Sequence, residues 1–235
     1  MIQLRPSSER GSVNIGWLNS KHSFSFGHYY DANHMGFRNL RVINEDKVLP
    51  SQGFGTHGHR DMEIISYVIS GELAHKDSMG NGSTLRKGDV QRMSAGTGVR
   101  HSEFNASDSE TVHFLQIWIL PNQGGHTPGY EEKNFTGKKD NNLCLLVSGT
   151  NEANALNINA DVHLFGSELE QNKELTYNIN KNRHVWVQLI HGALEISSSK
   201  ENIQIQAGDG LAISNHSSII LKAQKDSEFL LFDLP

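Results

Sequence analysis

Short apolar segments, most of them four to eight residues long, alternate along the chain with Gly, Asn, Asp and Ser. Many of their residues are β-branched or aromatic, and few windows show the three- and four-residue spacing of an amphipathic helix. The pattern therefore predicts an all-β protein of many short strands joined by tight turns, with one short helix near Ser148–Leu156. The predicted strands include Arg41–Ile43, Ile64–Ile69, His113–Leu120, Leu143–Val147, Val185–Ile190 and Phe229–Phe232.

An internal repeat suggests how these strands are grouped. In each half an apolar strand leads into a Gly-x-Leu turn, and a second strand ends at a Gly-Asp turn. The two glycines are Gly71 and Gly88 in the first copy and Gly192 and Gly208 in the second. The repeat favours a duplicated β-barrel over a single irregular β domain.

The connection between the two barrels is expected in Pro121–Asn142, which is rich in Gly, Asn, Lys and Pro and has little apolar periodicity. The resulting division is an N-terminal domain of residues 1–125, a linker of residues 126–142 and a C-terminal domain of residues 143–235.

Composition narrows the function classes. The net charge of −5 and the absence of a basic run disfavour tight binding to a phosphate backbone, so we expect no direct nucleic-acid contact. The longest apolar run, Leu143–Val147, is far too short to span a membrane. The N-terminal residues lack the apolar core of a signal peptide. A single cysteine, Cys144, excludes an intrachain disulfide and a Cys-based zinc site. We therefore expect a cytoplasmic protein.

Histidines and acids at two-residue spacing are the candidate chemistry. In an extended segment His57 and His59 point to one face, and Glu63 shares that face by even spacing. His101 and Glu103 form a second such pair. An isolated His-x-His pair usually has no special role, but several imidazoles and acids are costly to bury unless they are paired or coordinated. On neighbouring barrel strands the pairs can converge on one divalent metal.

The metal is expected to be a transition ion. A nitrogen-rich site with one carboxylate suits Fe(II), Mn(II), Ni(II) or Cu(II) better than calcium or magnesium. We expect one such ion per chain, with Fe(II) first and Mn, Ni, Cu or Zn as alternatives.

Longer stretches of the N-terminal half carry a family resemblance. They are His22–Gly27 (HSFSFG), Gly53–Glu63 (GFGTHGHRDME), Tyr67–Gly71, His75–Gly80 and Gly88–Glu103. In these stretches the chain resembles the pirin family of the cupin superfamily, and within it the bacterial members assigned as quercetin 2,3-dioxygenases. The similarity is weaker in the second half and returns at Leu230–Pro235. It implies a bicupin, in which two antiparallel β-barrels pack face to face and the N-terminal barrel holds one metal.

The resemblance also implies the ligands, which are His57, His59, His101 and Glu103. A typical cupin uses the glutamate four residues after the His-x-His pair, here Glu63, whereas pirins use the acid after the last histidine. Both acids are present, and we assign Glu103 as ligand and Glu63 as a residue behind the ligands.

Two positions differ from the residues that are most common in these families. Gly58 stands where pirins often have proline, and Ser94 stands where a general cupin has proline. Neither change removes a donor atom.

The second repeat serves as an internal control. When Gly71 is aligned with Gly192, no convergent set of donors remains, and the C-terminal domain is expected to be metal-free. The residues opposite His57, His59 and Glu63 are Asn178, Asn180 and His184, and His101 falls near Ile220 or Leu221.

Family resemblance further implies a metal-dependent dioxygenase that cleaves a flavonol such as quercetin with O2 to a depside and carbon monoxide. Glu103 is the catalytic candidate, because a carboxylate at the metal can take the proton of the substrate hydroxyl. Four apolar side chains have two possible roles between which the sequence does not choose: they line the substrate pocket or they pack in the core. They are Phe24, Phe26, Phe54 and Met93.

The alternative function is a non-enzymatic, metal-binding redox sensor that acts through protein partners in transcriptional regulation. A third possibility is a cupin enzyme with another substrate. The expected ligands of the enzyme are a small aromatic molecule and O2.

Overall fold

The computed structural model describes residues 1–199 and 201–235, and nearly all of its regular structure is β. One 3-10 turn lies at Ser7–Glu9. The strands are β1 Ile2–Arg5, β2 Gly11–Asn14, β3 Leu18–His22, β4 Leu40–Val48, β5 Gly53–His59, β6 Glu63–Ser70, β7 Leu73–Asp77, β8 Gly82–Leu85, β9 Asp89–Ser94, β10 Val99–Asn105, β11 Val112–Ile119, β12 Gly129–Asn134, β13 Cys144–Ser148, β14 Leu156–Asn157, β15 His163–Leu169, β16 Glu174–Asn178, β17 His184–Ser197, β18 Asn202–Gln206, β19 Gly210–Ser214 and β20 Ser218–Leu234.

The all-β prediction is confirmed, and each of the six apolar segments falls on a strand, with only Leu120 and Leu143 one residue outside. The predicted helix near Ser148–Leu156 is wrong. Turns, a bend and irregular backbone connect β13 to β14 here, and Asn151 has a left-handed backbone with φ of 55°, which a helix does not accommodate. Among the described residues, no helix has the length and apolarity needed to cross a membrane.

The described residues form two compact units. We call residues 11–136 and 149–160 the N-terminal unit, and residues 1–10, 137–148 and 161–235 the C-terminal unit. Each unit is therefore discontinuous along the chain. Within the segment predicted as a linker, Gly129–Asn134 form β12, which pairs with β9 in the N-terminal unit.

Two antiparallel sheets make up most of the N-terminal unit. One has the strand order β12-β9-β6-β11-β4-β3-β2 and the other the order β5-β10-β7-β8. Polar side chains are buried on strands of the first sheet, among them Ser66, Gln91 and Gln116. These side chains hydrogen-bond His75 and Glu103 of the second sheet, so the space between the two sheets is polar around these two residues.

The C-terminal unit has an apolar interior. Its strands β1, β13, β15, β16, β17, β18, β19 and β20 belong to one antiparallel sheet, whose long strands β17 and β20 pair along most of their length. The buried cluster consists mainly of leucine, isoleucine and valine, including Val187, Leu189, Leu194, Ile196, Leu211 and Leu231.

The sequence repeat is present in the backbone. Gly71 and Gly192 have φ values of 79° and 87°, and Gly88 and Gly208 have φ values of 94° and 86°. A Cβ at Gly71 would lie 2.7 Å from Cα of Val112, so glycine is required there by the close approach of β11 as well as by its φ. The glycines of the two copies thus share a left-handed backbone, although Gly71 lies between β6 and β7 and Gly192 lies within β17.

Candidate metal centre

The centre is built on three neighbouring strands of the smaller sheet of the N-terminal unit. Strand β10 lies between β5 and β7, and His101 is directly opposite His57 on one side and Asp77 on the other. Glu103 is opposite His75. The register between β5 and β10 shifts after His101, where β5 carries an extra residue. Such bulges re-aim side chains next to functional sites.

Three imidazoles converge here, as the spacing of the histidines predicts. His101 Nε2 lies 2.9 Å from His59 Nε2 and 3.1 Å from His57 Nε2. His57 Nδ1 is 2.8 Å from the carbonyl oxygen of Gly55, so this nitrogen carries the proton and donates it. The Nε2 lone pair of His57 is then free to face the other two rings, which is the arrangement of a metal-binding imidazole.

Electrostatics keep two of these rings neutral. Burial first, and then the neighbouring His57, lower the pKa of His59 to about 4. Burial and the charges of His57 and His59 lower the pKa of His101 to about 3. Neutral imidazoles are the form that donates a lone pair, so both side chains are ready to bind a metal at neutral pH.

Glu103 lies next to this cluster and is almost completely buried, with 2% of its surface exposed. Its carboxylate accepts hydrogen bonds from Ser66 Oγ at 3.1 Å and from Gln116 Nε2 at 2.7 Å. Burial raises the pKa of the Glu103 carboxyl to about 7. A buried carboxyl of this kind gains most from a cation placed beside it.

Glu63 has a different environment from the one its spacing suggests. The chain turns after His59, with Asp61 at φ of 47°, and Glu63 begins β6 in the other sheet. Its buried carboxylate accepts hydrogen bonds from Ser94 Oγ at 2.8 Å and from Asn159 Nδ2 at 3.1 Å. The prediction that it shares a face with His57 and His59 is wrong, because the intervening residues are not extended.

His75 is a site residue that the spacing argument missed. Together with His101 and Glu103 it forms a group whose ligand atoms lie within 4.8 Å of one another. The ring stacks on Tyr130 with a centroid distance of 4.9 Å, and its Nε2 lies 3.5 Å from Asp77 Oδ2. The signal was available, because His75 and Asp77 also stand two residues apart on an alternating strand.

Aromatic side chains border the cluster on the side of His59. The ring of Trp118 packs edge-on against His59 at 4.9 Å, and Phe26 packs edge-on against Trp118 at 5.3 Å. The position of Phe26 thus fits a role in the pocket wall. Phe24 is 2% exposed and belongs to the core.

The other two apolar candidates pack in core clusters. Phe54 packs edge-on against Trp17 at 5.4 Å. Met93 is fully buried with Ile64, Ala95 and Val99.

A glycine keeps β5 and β10 close enough to form the centre. A Cβ added to Gly53 would overlap the carbonyl oxygen of Glu103 and lie 2.5 Å from Cα of Phe104. We expect Gly53→Ala to lower the free energy of unfolding by about 1–3 kcal/mol and to weaken metal binding, because both contacts are backbone and the strands must separate. Urea unfolding and calorimetric titration with Ni(II) measure the two effects.

Gly55 is the matched control on the same strand, since no atom lies within 4 Å of a Cβ placed there. Gly55→Ala is expected to leave metal affinity unchanged. Equal losses in the two variants would show that a general preference for glycine in β5, rather than the contact at Glu103, is responsible.

In the C-terminal unit, the histidine aligned with Glu63 has a local partner. His184 Nδ1 lies 2.7 Å from Ser214 Oγ. Both groups of candidate ligands found among residues 1–199 and 201–235 lie in the N-terminal unit.

The donor set fits a transition metal. The Nε2 atoms of three imidazoles converge, and a buried carboxylate lies beside His101. Nitrogen donors with one carboxylate are the preference of divalent first-row transition ions. The cluster of histidines and Glu103 can therefore hold such an ion.

Comparisons with known proteins agree with this fold. The family model described as Pirin matches residues 3–119, and the model described as Quercetinase C-terminal cupin domain matches residues 145–234. A protein named quercetin 2,3-dioxygenase from Escherichia coli (strain K12) is 46% identical over 235 residues, which cover 100% of this chain and 99% of that protein. A pirin-like protein of Caulobacter vibrioides is 38% identical, with 99% of each chain covered.

A solved structure extends the likeness to three dimensions. The crystal structure of the bacterial pirin YhhW from Escherichia coli in complex with nickel(II) has a TM-score of 0.94 and 44% identity to this chain, and covers 100% of this chain and 99% of that one.

Proposed function

The chain belongs to the pirin family, and we propose that it is a metal-dependent dioxygenase that opens a flavonol such as quercetin with O2. Both atoms of O2 enter the depside product, and the ring carbon that bears the 3-hydroxyl leaves as carbon monoxide. The observation that carries this proposal is the convergence of three imidazole nitrogens, those of His57, His59 and His101, beside the buried Glu103.

We propose His57, His59, His101 and Glu103 as the metal ligands. Fe(II) is the ion we expect first, and the nickel complex of the Escherichia coli relative makes Ni(II) a practical second choice. When bound, a divalent transition ion supplies Lewis acidity toward the substrate hydroxyl and a redox-capable centre for O2.

Glu103 is proposed to take the proton of the flavonol 3-hydroxyl. Its two carboxylate oxygens are oriented by Ser66 and Gln116, so the base is held in one position before the substrate arrives. A carboxylate held at the metal is within reach of the substrate hydroxyl, which suits a general base.

Trp118 and Phe26 are proposed to keep water away from the reacting ring. Their edge-on contacts extend the apolar surface outward from His59. A flavonol is flat and largely apolar, so an aromatic wall next to the ligands favours its entry.

The test is a single-turnover experiment. Metal-loaded protein is mixed with quercetin without oxygen, and air is then admitted. We expect the flavonol absorbance to disappear with one equivalent of carbon monoxide, because cleavage releases one ring carbon per substrate. Protein stripped with a chelator is the control and should leave quercetin intact.

Other outcomes select other functions. Flavonol loss that persists after complete removal of metal would overturn the proposed mechanism. Metal binding without turnover, together with metal-dependent capture of a protein partner, would support the redox sensor instead.

A further inference from the structure

The loop between β3 and β4 of the N-terminal unit carries Phe26 to the metal centre. Phe26 is partly buried and packs edge-on against Trp118 at 5.3 Å, and Trp118 packs edge-on against the proposed ligand His59 at 4.9 Å. Trp118 alternates on β11 with Gln116, which hydrogen-bonds Glu103, so Trp118 lies on the face of β11 that points toward the ligands. The loop therefore places an aromatic ring on that face, next to the side chain that contacts His59.

Phe26 lies in a tight backbone turn. Phe26 and Tyr29 exchange two backbone hydrogen bonds of 3.0 Å, and Gly27, which follows Phe26, has a φ of 57°. A positive φ at the first central position is typical of such hairpin turns, and glycine adopts it without strain. The ring of Phe26 also packs edge-on against His22 at 5.4 Å. The turn thus fixes the backbone of Phe26, and its ring contacts both His22 and Trp118.

The carboxylate of Asp31 organises the loop around this turn. It accepts hydrogen bonds from the backbone N–H of Asn33 at 3.0 Å and from the hydroxyl of Tyr29 at 3.4 Å. It also lies 2.7 Å from Nδ1 of His34. Tyr29 belongs to the turn that carries Phe26, whereas Asn33 and His34 lie beyond it. One carboxylate therefore joins the turn to the arm of the loop that follows it.

Ser25 fastens the arm that enters the loop to the same segment. Its Oγ accepts the backbone N–H of Asp31 at 2.8 Å and donates to the backbone oxygen of Asp31 at 3.0 Å. The backbone N–H of Ser25 donates to the carbonyl oxygen of His34 at 2.7 Å. Ser25 is buried and directly precedes Phe26. The chain is therefore held one residue before Phe26 by the segment that Asp31 organises.

We infer that Asp31 is a positioning residue, which holds Phe26 in place as a wall of the site and so favours a flat aromatic ligand over a small chelating one. The inference rests on the proposed function, because it takes the ligand to be bound at the metal through adjacent hydroxyl and carbonyl oxygens. Asp31 acts through Phe26 and not by contact with the ligand. Without the carboxylate the loop loses three contacts. A ring that moves freely must then be ordered when the ligand binds, which weakens binding.

The test compares 3-hydroxyflavone with maltol, a small pyrone that offers the same adjacent hydroxyl and carbonyl oxygens but has neither the phenyl ring nor the fused benzene ring. Binding to the Ni(II)-loaded protein is measured by calorimetry without oxygen, so that no turnover is required. We expect Asp31→Ala to weaken the binding of 3-hydroxyflavone by about three- to tenfold, the range available to one aromatic contact. The affinities for maltol and for Ni(II) should not change, because the loop does not supply a ligand to the metal.

Phe26→Ala is expected to give the same selective loss, and the double variant Phe26→Ala/Asp31→Ala no larger one, because the carboxylate acts through that ring. Asp31→Asn keeps a side-chain oxygen for the N–H of Asn33 and should retain most of the affinity. Ser25→Ala leaves the carboxylate in place and should show a smaller selective loss, which decides the matter if Asp31→Ala does not fold. Asp108→Ala is the control, since it removes an exposed acid from the connection between β10 and β11 and should behave like the unchanged protein.

The positioning role and the proposed function fail in different ways. If Asp31→Ala binds 3-hydroxyflavone as the unchanged protein does, or loses affinity for both ligands equally, the role of Asp31 is wrong even when quercetin is consumed. A full additional loss in the double variant, or an unchanged protein that does not bind 3-hydroxyflavone, would also overturn it. If the selective loss is found while quercetin is never cleaved, the role of Asp31 stands and the flavonol dioxygenase proposal fails.

Discussion

Replacement of His101 with alanine is expected to remove the bound metal and, with it, flavonol turnover. His101 is the histidine shared by both groups of candidate ligands, and its Nε2 is within 3.1 Å of both His57 Nε2 and His59 Nε2. Loss of a residue behind a ligand costs about 10–100-fold in metal affinity, and loss of a central ligand should cost more than that. Calorimetric titration with Ni(II), together with elemental analysis of the purified variant, measures the change.

His184→Ala is the matched control. His184 belongs to the C-terminal unit and hydrogen-bonds Ser214, so its loss should leave one metal per chain in place. Full metal occupancy in His101→Ala, or two equivalent metals per unchanged chain, would contradict the assignment of a single centre in the N-terminal unit. Loss of metal in His184→Ala would contradict it as well.

Glu103→Gln is expected to stabilise the metal-free protein while it weakens metal binding. Burial raises the pKa of Glu103 from 4.5 to about 7 in the folded chain. Between these pH values the folded chain holds a proton that the unfolded chain has released, so the free energy of unfolding falls as pH rises. At pH 8 the ionised carboxylate lowers the free energy of unfolding by about 3 kcal/mol, because one pKa unit corresponds to about 1.4 kcal/mol.

A glutamine at this position has no charge to bury. It keeps the hydrogen bond from Ser66, and the amide of Gln116 can turn over to pair with the new amide. The metal-free variant should therefore gain stability over the unchanged protein as pH rises from 4 to 8. Urea unfolding in the presence of a chelator, at both pH values, measures this difference. Equal stability of the two proteins at both pH values would show that the buried carboxylate carries no such cost.

Glu63→Gln separates the two acids. The Glu63 carboxylate is committed to Ser94 and Asn159 on the other sheet, and its replacement should reduce metal affinity by about 100-fold at most. If Glu63→Gln loses the metal and Glu103→Gln keeps it, the fourth ligand is Glu63, as in a typical cupin.

The local pattern of apolar and turn residues in the sequence was enough to predict the strands and the repeat. The segments in β4, β6, β11, β13, β17 and β20 were predictable because each is short, apolar and bounded by turn residues. The structure of the segment near Ser148–Leu156 was not predictable, since weak periodicity does not distinguish a helix from a series of turns. The predicted domain boundaries near residues 125 and 143 remain a prediction. A local pattern does not show that the units are discontinuous along the chain, with residues 1–10 in the C-terminal unit.

The sequence determined the histidine and acid pairs, and only the tertiary structure decided how they are combined. Residues two apart on a strand share a face, so His57 with His59 and His101 with Glu103 could be paired from spacing. The turn at Asp61 moved Glu63 to the other sheet, and the register of β7 with β10 brought His75 to Glu103. Strand register depends on contacts between distant segments, which a local pattern does not contain.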